Sequence, residues 1–299
     1  MSVTFIKKAK VSVVMIDKLS IVLDVAHKQQ WDIENNLKTL LPEYGVPVYR
    51  PRYCFSARLY LEYPDVYVEI SIYPKLKNCP FFRVELNPAH GYLADFKMLM
   101  DKILPKGYVQ LIAGGRCTRI DAAIDVKGVD INTLLITYPK MRKTKGYYNN
   151  GKLETYTLGV KQGKTEICVY DKVSQLISIN EKSESHNPIQ DDLVTRIEVR
   201  KKEGYLLKDL AKLPNFFDGI LIAGYSHEPQ EDGEKFRLFL EACRSRGAQD
   251  ALKMLSEPTR KRYHQLLQNC KLKWWEPKEI WKSWHIPANA LLNPTHFGK

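Results

Sequence analysis

Acidic and aromatic side chains recur at even spacing along three strand-like segments of this sequence. Asp121 and Asp125 lie in one segment, Glu198 in a second, and Tyr170 in a third. Because successive side chains of a strand point to opposite faces, residues an even number of positions apart share one face. Three carboxylates on one exposed face predict a site for a hard divalent cation, Mg²⁺ or Mn²⁺, with Asp121, Asp125 and Glu198 as its ligands.

Basic side chains accompany these acids. Arg196 and Arg200 lie two positions before and after Glu198, and Arg119 lies in the segment that contains the two aspartates. Guanidinium groups bind phosphate oxygens with well-defined geometry. We therefore predict that Arg119, Arg196 and Arg200 bind phosphate groups or DNA.

Tyr170 is the candidate nucleophile of this set. A phenol attacks weakly unless a metal or a neighbouring group activates it. Held beside a bound phosphate, it could attack in line and become a phosphotyrosine. Lys172, two residues on, could favour the ionised phenol or hold the phosphate. Each residue alone has a plainer explanation, such as a core tyrosine or an ion-paired acid, but convergence on one face favours a site.

An internal repeat positions these residues. Three matched segments occur in the same order in both copies: SIVLDV (20–25) with DAAIDV (121–126), VEISIYPK (68–75) with TEICVYDK (165–172), and FRVEL (82–86) with TRIEV (195–199). The first copy keeps Asp24, Tyr73 and Glu85 but has Ser20 where the second has Asp121. We therefore predict that the second copy is the catalytic one.

Each copy has the order β-α-β-β-α-β of ferredoxin-like units, in which the first and third strands are neighbours. The sequence thus predicts an α+β fold in which two such units form a curved antiparallel sheet, with helices on one face and the acids on the open face. Predicted helices include 31–41, 130–141 and 173–186. This duplicated domain covers 1–205, with copies at about 10–90 and 115–205.

The remaining residues, 206–299, predict a mostly helical, basic region that assists DNA binding, with helices at 207–217, 234–247 and 250–269. Between residues 235 and 282 there are twelve Lys or Arg and five Asp or Glu. Basic residues interleaved with aromatics suit nucleic-acid binding. The tryptophans near the end are more typical of a hydrophobic core.

The net charge and the cysteine content limit the classes of function that the sequence supports. The 299 residues carry a net charge of +12, which favours a polyanionic partner because neutralised phosphates release counterions. The six cysteines form no C-x-x-C pair, so the sequence predicts neither a zinc site nor a disulfide framework. It predicts a location in the reducing cytoplasm. No apolar stretch is long enough to span a membrane, so no membrane partner is expected.

At TRIDAAIDV (118–126), VYDK (169–172) and TRIEVR (195–200) the sequence resembles the replication initiation factor family, which includes rolling-circle initiators of small plasmids and some filamentous phages. The resemblance implies a tyrosine that nicks one DNA strand at an origin, stays linked to the 5′ phosphate and frees a 3′-OH. Tyr170 matches the family's Y-x-K position and Glu198 its R-I-E position. A divalent metal, a host helicase and, for some members, a homodimer are also implied.

The chain departs from better-known nicking enzymes because it has no His-x-His metal motif, so only carboxylates can form the predicted metal site. Two alternatives stay open. One is a non-catalytic, sequence-specific DNA binder with a saddle-like doubled sheet, and the other is a carboxylate-metal nuclease in which water attacks. A tyrosine recombinase is not favoured because an Arg…His-x-x-Arg…Tyr arrangement is not recognisable.

Overall fold

The computed structural model describes residues 9–61, 66–141, 143–180, 193–224 and 233–294. It is an α+β fold with a large antiparallel sheet and a helical C-terminal region, as predicted. The strands are β1 Lys10–Val11, β2 Met15–Leu23, β3 Gly45–Pro47, β4 Tyr53–Tyr60, β5 Tyr67–Pro74, β6 Phe82–Leu86, β7 Arg116–Lys127, β8 Leu134–Thr137, β9 Thr144–Asn149, β10 Lys152–Gly159, β11 Thr165–Asp171, β12 Val194–Lys201, β13 Tyr205–Leu206 and β14 Leu221–Gly224.

The helices alternate with strands in the first part of the chain and follow one another after residue 233. They are α1 His27–Tyr44, α2 Leu93–Ile103, α3 Gly107–Gly114, α4 Lys172–Asn180, α5 Gly233–Arg246, α6 Ala248–Lys253, α7 Glu257–Asn269, α8 Pro277–Trp281 and α9 His285–Leu292. Within the described ranges, no helix is both long and apolar enough to cross a membrane.

The chain divides into two compact units, and each contains most of one repeat with part of the C-terminal region. The first-repeat unit comprises 14–122, 201–214 and 283–299, and the second-repeat unit comprises 1–13, 123–200 and 215–282. The boundary between Ala122 and Ala123 lies within β7. These units cut across the position 205/206 at which the sequence predicts a domain boundary, so a separate accessory function for 206–299 stays a prediction.

The two units have equivalent strand orders. The first-repeat unit has the order β3-β4-β5-β6-β2-β7, and the second-repeat unit has β7-β12-β11-β10-β9. In both, the fourth strand of the repeat lies between its third and first strands. The prediction that the first and third strands of each repeat are neighbours, as in a ferredoxin-like unit, is therefore wrong. In the first repeat the reason is that β5 and β6 are joined by only residues 75–81, which is too short for a helical crossover and leaves an antiparallel hairpin.

The apolar side of β7 matches the prediction. Ile120, Ala122, Ile124 and Val126 are completely buried. The opposite side of the sheet is not open as predicted, because Asp121 on β7 and Glu198 on β12 are also buried. Buried ionised side chains need charged or hydrogen-bonding partners, and arginines supply them here, as described below.

Two predicted helices are wrong or partly wrong. Residues 130–141 contain a 3₁₀ turn, Ile131–Thr133, followed by β8, which pairs with β14. The four residues of β8 are apolar or β-branched and all buried, which suits a strand. Residues 207–217 contain only a 3₁₀ helix, Leu207–Lys212, because Pro214 follows closely. The predicted helix 173–186 begins as α4, and its last residues lie outside the described ranges.

Two of the four tryptophans near the end, Trp275 and Trp284, are core residues as predicted, whereas Trp274 and Trp281 are only partly buried. In the second-repeat unit the indole N–H of Trp275 donates to the Ile220 carbonyl at 2.7 Å, and in the first-repeat unit that of Trp284 donates to Leu210 at 2.9 Å. Both rings are almost completely buried. All six cysteines are free.

Candidate active site

Tyr170 lies near the end of β11, where a strand turns directly into a helix. Asp171 causes this change, because its carboxylate accepts hydrogen bonds from the amides of Val173 at 2.9 Å and Ser174 at 3.2 Å. These bonds satisfy amides of the first turn of α4, as a helix N-cap does. The short link therefore holds α4 directly beside the tyrosine.

A cleft of about 310 Å³ opens between α4 and the ends of the neighbouring strands. We call it the Tyr170 cleft, and it is lined by Glu154, Thr155, Cys168, Tyr170, Asp171, Ser174, Gln175, Ser178 and Arg200. Tyr170 is only 6% exposed. The tyrosine predicted as nucleophile thus borders a polar cleft while most of its ring is buried.

Lys172 is the first residue of α4 and not a strand residue. The prediction that Lys172 shares a strand face with Tyr170 is therefore wrong. The ammonium group of Lys172 nevertheless stays near the tyrosine, with Nζ 6.0 Å from the centre of the Tyr170 ring. The same Nζ donates to Oε1 of Gln175 at 2.7 Å, within the first turn of the helix. The helix therefore positions the ammonium group beside the ring.

Arg200 links the Tyr170 cleft to two buried acids. Its Nε donates to Oε1 of Glu198 at 2.6 Å, and its Nη1 lies 3.5 Å from Oε2 of Glu166. Both carboxylates are nearly inaccessible to solvent. Arg200 therefore lines the cleft while also compensating buried negative charge, and its binding of phosphate stays a prediction.

Arg196 and Asp125 form a second ion pair in the same unit. Two parallel bonds join them, from Nε to Oδ1 at 2.6 Å and from Nη2 to Oδ2 at 2.8 Å. This two-bond geometry is the strongest arrangement that arginine makes with a carboxylate. Arg196 is itself buried, so it does not extend into the cleft as a predicted phosphate ligand would.

The three predicted metal ligands do not form one site. Asp121 and Asp125 are four residues apart on one strand, about 13 Å at the usual rise, whereas ligands of one ion lie within a few ångströms of each other. Asp121 bonds to Arg119, with Nε to Oδ1 at 2.9 Å. Among the described residues, no three acidic, histidine or cysteine side chains form a group that could hold a metal.

The first repeat contains a cleft of similar size, about 330 Å³, on its own polar side. We call it the Glu69 cleft, and it is lined by Asp17, Lys18, Arg50, Arg58, Tyr67, Glu69, Glu85, Leu86, Asn87 and His90. Arg50 bonds to Glu69, and Nε of Arg58 lies 3.6 Å from the same carboxylate. Tyr73, the counterpart of Tyr170, does not line this cleft.

Glu85, the counterpart of Glu198, is held by a different set of donors. It bonds to Lys18 and Arg83, and the Ser20 hydroxyl donates to it at 2.7 Å. Burial raises the pKa of Glu85, but the bonds from Lys18 and Ser20 and the charge of Arg83 outweigh burial, so its pKa lies below the ordinary value. Glu85 is therefore a stable anion.

Two contributions to the site are absent from the sequence predictions. Glu166 shares Arg200 with Glu198, and its match with Glu69 in the repeat was a signal that could have found it. The side chains of Ser174, Gln175 and Ser178 form the helical wall of the cleft. Their i, i+1, i+4 spacing is compatible with one helix face, although the sequence did not reveal where that face lies.

Comparison with family models gave no match, and comparison with curated proteins gave none either. Among solved structures, the rolling circle replication initiator protein from Geobacillus stearothermophilus matches 80% of this chain and 98% of its own, with 15% identity and a TM-score of 0.42. Its description names the class of protein that the sequence motifs resemble. A TM-score below 0.5 does not establish a shared fold.

Proposed function

We propose that this chain initiates rolling-circle DNA replication by nicking one strand at an origin, with Tyr170 as the nucleophile. The observation that supports this most is the Tyr170 cleft, a polar cavity bordered by Tyr170 and Arg200. The ammonium group of Lys172 does not line the cavity but lies 6.0 Å from the centre of the Tyr170 ring. A cavity of about 310 Å³ is within the size range of sites that bind small molecules. The net charge of +12 suits DNA as the partner.

In the proposed step, Oη of Tyr170 attacks the phosphorus of the scissile phosphodiester. The P–O3′ bond breaks, the phenol loses its proton, and the departing 3′ oxygen takes up a proton to become a 3′-OH. The product is a 5′-phosphotyrosyl link that keeps the energy of the broken bond for later strand transfer. Arg200 and Lys172 would stabilise the negative charge that develops on the phosphate oxygens.

The proposed mechanism assigns no step to a divalent cation, because Asp121, Asp125 and Glu198 do not form one ligand set and each bonds to an arginine. Dependence on Mg²⁺ or Mn²⁺ stays a prediction that nicking assays with EDTA would test. The origin strand, single-stranded or in a hairpin, is the proposed substrate. Helicase recruitment and a homodimer rest only on the family resemblance and stay predictions.

Detection of a covalent adduct between protein and DNA is the decisive measurement. The full chain is incubated with a supercoiled plasmid that carries the candidate origin and, separately, with a random pool of single-stranded oligonucleotides. Protein linked to DNA is then recovered under denaturing conditions. We expect mass spectrometry to locate the nucleotide on the tryptic peptide Thr165–Lys172, whose single tyrosine is Tyr170.

Matched variants separate the proposal from its alternatives. Tyr170→Phe should form no detectable adduct, whereas Tyr73→Phe in the first repeat should form it as the wild type does. An adduct that survives Tyr170→Phe would remove Tyr170 from its role. Nicking without an adduct would favour the water-using nuclease, and binding without nicking would favour the non-catalytic DNA binder.

A further inference from the structure

The hairpin of β9 and β10 carries a second tyrosine in register with Tyr170. Thr155 of β10 is the cross-strand partner of Tyr170 on β11 and also of Tyr147 on β9. Directly opposed residues of neighbouring strands share a face of the sheet. Tyr147 and Tyr170 therefore lie on the same face, two strand spacings or about 10 Å apart, with a wall residue of the Tyr170 cleft between them.

A register shift produces this alignment. On β10 the pairing with β9 changes between Leu153 and Thr155, which leaves Glu154 as an extra residue. A bulge of this kind redirects the side chains that follow it. Without it, Thr155 would oppose Gly146 and the Tyr147 ring would lie on the other face. The bulge therefore places the Tyr147 ring on the side of the cleft.

Tyr147 has the surroundings of a stacking platform. It lies on β9, at the edge of the sheet order, and 47% of its surface is exposed. Nζ of Lys145 lies 4.3 Å from the centre of its ring, over one side. A base could stack on the other side while the ammonium group contacts the neighbouring phosphate. Stacking of bases on aromatic rings combined with basic groups is the usual mode of single-strand binding.

The charge of this hairpin supports the same partner. Residues 143–159, which contain β9 and β10, have three lysines and one acidic residue, Glu154, and thus a net charge of +2. A buried core does not explain the exposed tyrosines, because Tyr147 and Tyr148 are both largely accessible. A positively charged edge with accessible rings matches single-stranded nucleic acid, whose bases offer their faces, better than a duplex, whose bases are already stacked.

We infer that Tyr147 stacks on a base of single-stranded DNA next to the strand position that Tyr170 attacks, with Lys145 contacting the adjoining phosphate. About 10 Å corresponds to about three nucleotides at the stacked rise of about 3.4 Å. The base on Tyr147 is therefore within about three nucleotides of the scissile phosphate. The inference rests on the proposed function for that phosphate, but the binding of DNA by Tyr147 can be measured without it.

The test measures binding in a Tyr170→Phe background, so that no covalent link forms. The probe is a fluorescein-labelled oligothymidylate of about 12 nucleotides, and fluorescence anisotropy gives the dissociation constant. Adding Tyr147→Ala should weaken binding about 5- to 100-fold, the effect of losing one stacked base. Tyr147→Phe keeps the ring and should stay within about two-fold of the background.

Tyr148→Ala is the matched control, because Tyr148 is at least as accessible as Tyr147 but pairs with Leu153 on the opposite face. The dissociation constant of Tyr148→Ala should stay within about two-fold of the background. When the same probe is annealed to oligodeoxyadenylate, none of the variants should change its dissociation constant by more than about two-fold. A single 2-aminopurine in the probe should lose fluorescence on binding and recover it with Tyr147→Ala. Tyr147→Thr, which keeps a strand-forming residue, replaces the alanine variant if that variant does not fold.

Three results would overturn the inference: wild-type binding by Tyr147→Ala, equal weakening by Tyr147→Phe, or equal weakening by Tyr148→Ala. These are distinguishable from failure of the proposed function. Binding through Tyr147 without any Tyr170 adduct would overturn only the nicking proposal. An adduct on Tyr170 with unchanged binding by Tyr147→Ala would overturn only the stacking inference.

Discussion

The two repeats share their strand order but use their matched tyrosines in opposite ways. In the second repeat Tyr170 borders a polar cleft beside Arg200. In the first repeat the Tyr73 hydroxyl donates to Oε2 of Glu34 on α1 at 2.5 Å, and the Tyr73 backbone has a left-handed φ of 59°. The bond to Glu34 holds the Tyr73 hydroxyl against α1, and Tyr73 does not line the Glu69 cleft. The comparison favours a catalytic second repeat and a structural first repeat.

The matched arginines and acids also differ in their partners. Arg83 of the first repeat bonds to Glu85, two residues away, whereas its counterpart Arg196 bonds to Asp125 on a different strand. Glu198 is then free of Arg196 and bonds to Arg200 instead. The first repeat has Asn87 at the position of Arg200. The second repeat thus has an arginine, absent at the matched position of the first, that bonds to Glu198 and lines the Tyr170 cleft.

The largest expected difference between the repeats concerns Arg200 and Arg50. Arg200→Met leaves Glu198 and Glu166 without this cation, and both are buried, so the free energy of unfolding should fall by about 3 kcal/mol. Arg50→Met should cost about 1 kcal/mol, because Arg50 is about one-third exposed and Glu69 keeps Arg58 nearby. Urea unfolding followed by tryptophan fluorescence measures both. Equal losses would show that Arg200 has no special role in compensating buried charge.

A smaller difference is expected for the matched aspartates. Asp125→Asn removes the charge that faces a buried guanidinium and should lower the free energy of unfolding by about 2 kcal/mol. Asp24→Asn should have no measurable effect, because Asp24 and Arg116 form a solvent-exposed pair 3.1 Å apart. Thermal unfolding of the two variants side by side tests this. A loss for Asp24→Asn as large as that for Asp125→Asn would contradict it.

The sequence predicted the elements that depend on local pattern. Alternation along β7 correctly indicated Ile120, Ile124 and Val126 as core, and the match between VEISIYPK and TEICVYDK correctly indicated equivalent strands. Strand order was not predictable in this way, because it depends on which distant strands pair, and the short link between β5 and β6 decided it in the first repeat.

The partners of charged residues were also beyond the sequence. Alternation gives the face of Arg196 and Glu198 but does not distinguish a bond between them from bonds to Asp125 and Arg200. The predicted metal site with three ligands was wrong, because residues that share one face of a sheet need not lie close together. Similarly, the position of Tyr147 depends on the bulge at Glu154, and a one-residue shift reverses a side chain's face.

The smallest expected effect concerns the bond between Tyr73 and Glu34. Tyr73→Phe keeps the ring, which packs edge-on against Phe81 with centres 5.1 Å apart, and removes only the hydroxyl. The free energy of unfolding should fall by about 0.5 kcal/mol at neutral pH. Chemical unfolding at several pH values, with Tyr60→Phe as a reference for loss of a tyrosine hydroxyl elsewhere in the unit, measures this difference.

The pH dependence of that loss has a sign fixed by the two groups. Hydrogen bonds from Lys38 and Tyr73 lower the pKa of Glu34 below its ordinary 4.5, so its contribution is present above about pH 4.5 and is lost as pH falls through the folded-state pKa. The bond to Glu34 raises the pKa of Tyr73 above 10.0, so its contribution is present below about pH 10 and is lost as pH rises through the raised value. The difference between wild type and Tyr73→Phe should therefore be largest between these limits. A difference that stays constant through both titrations would mean that Tyr73 is not held by this bond, and the contrast with Tyr170 would then need another cause.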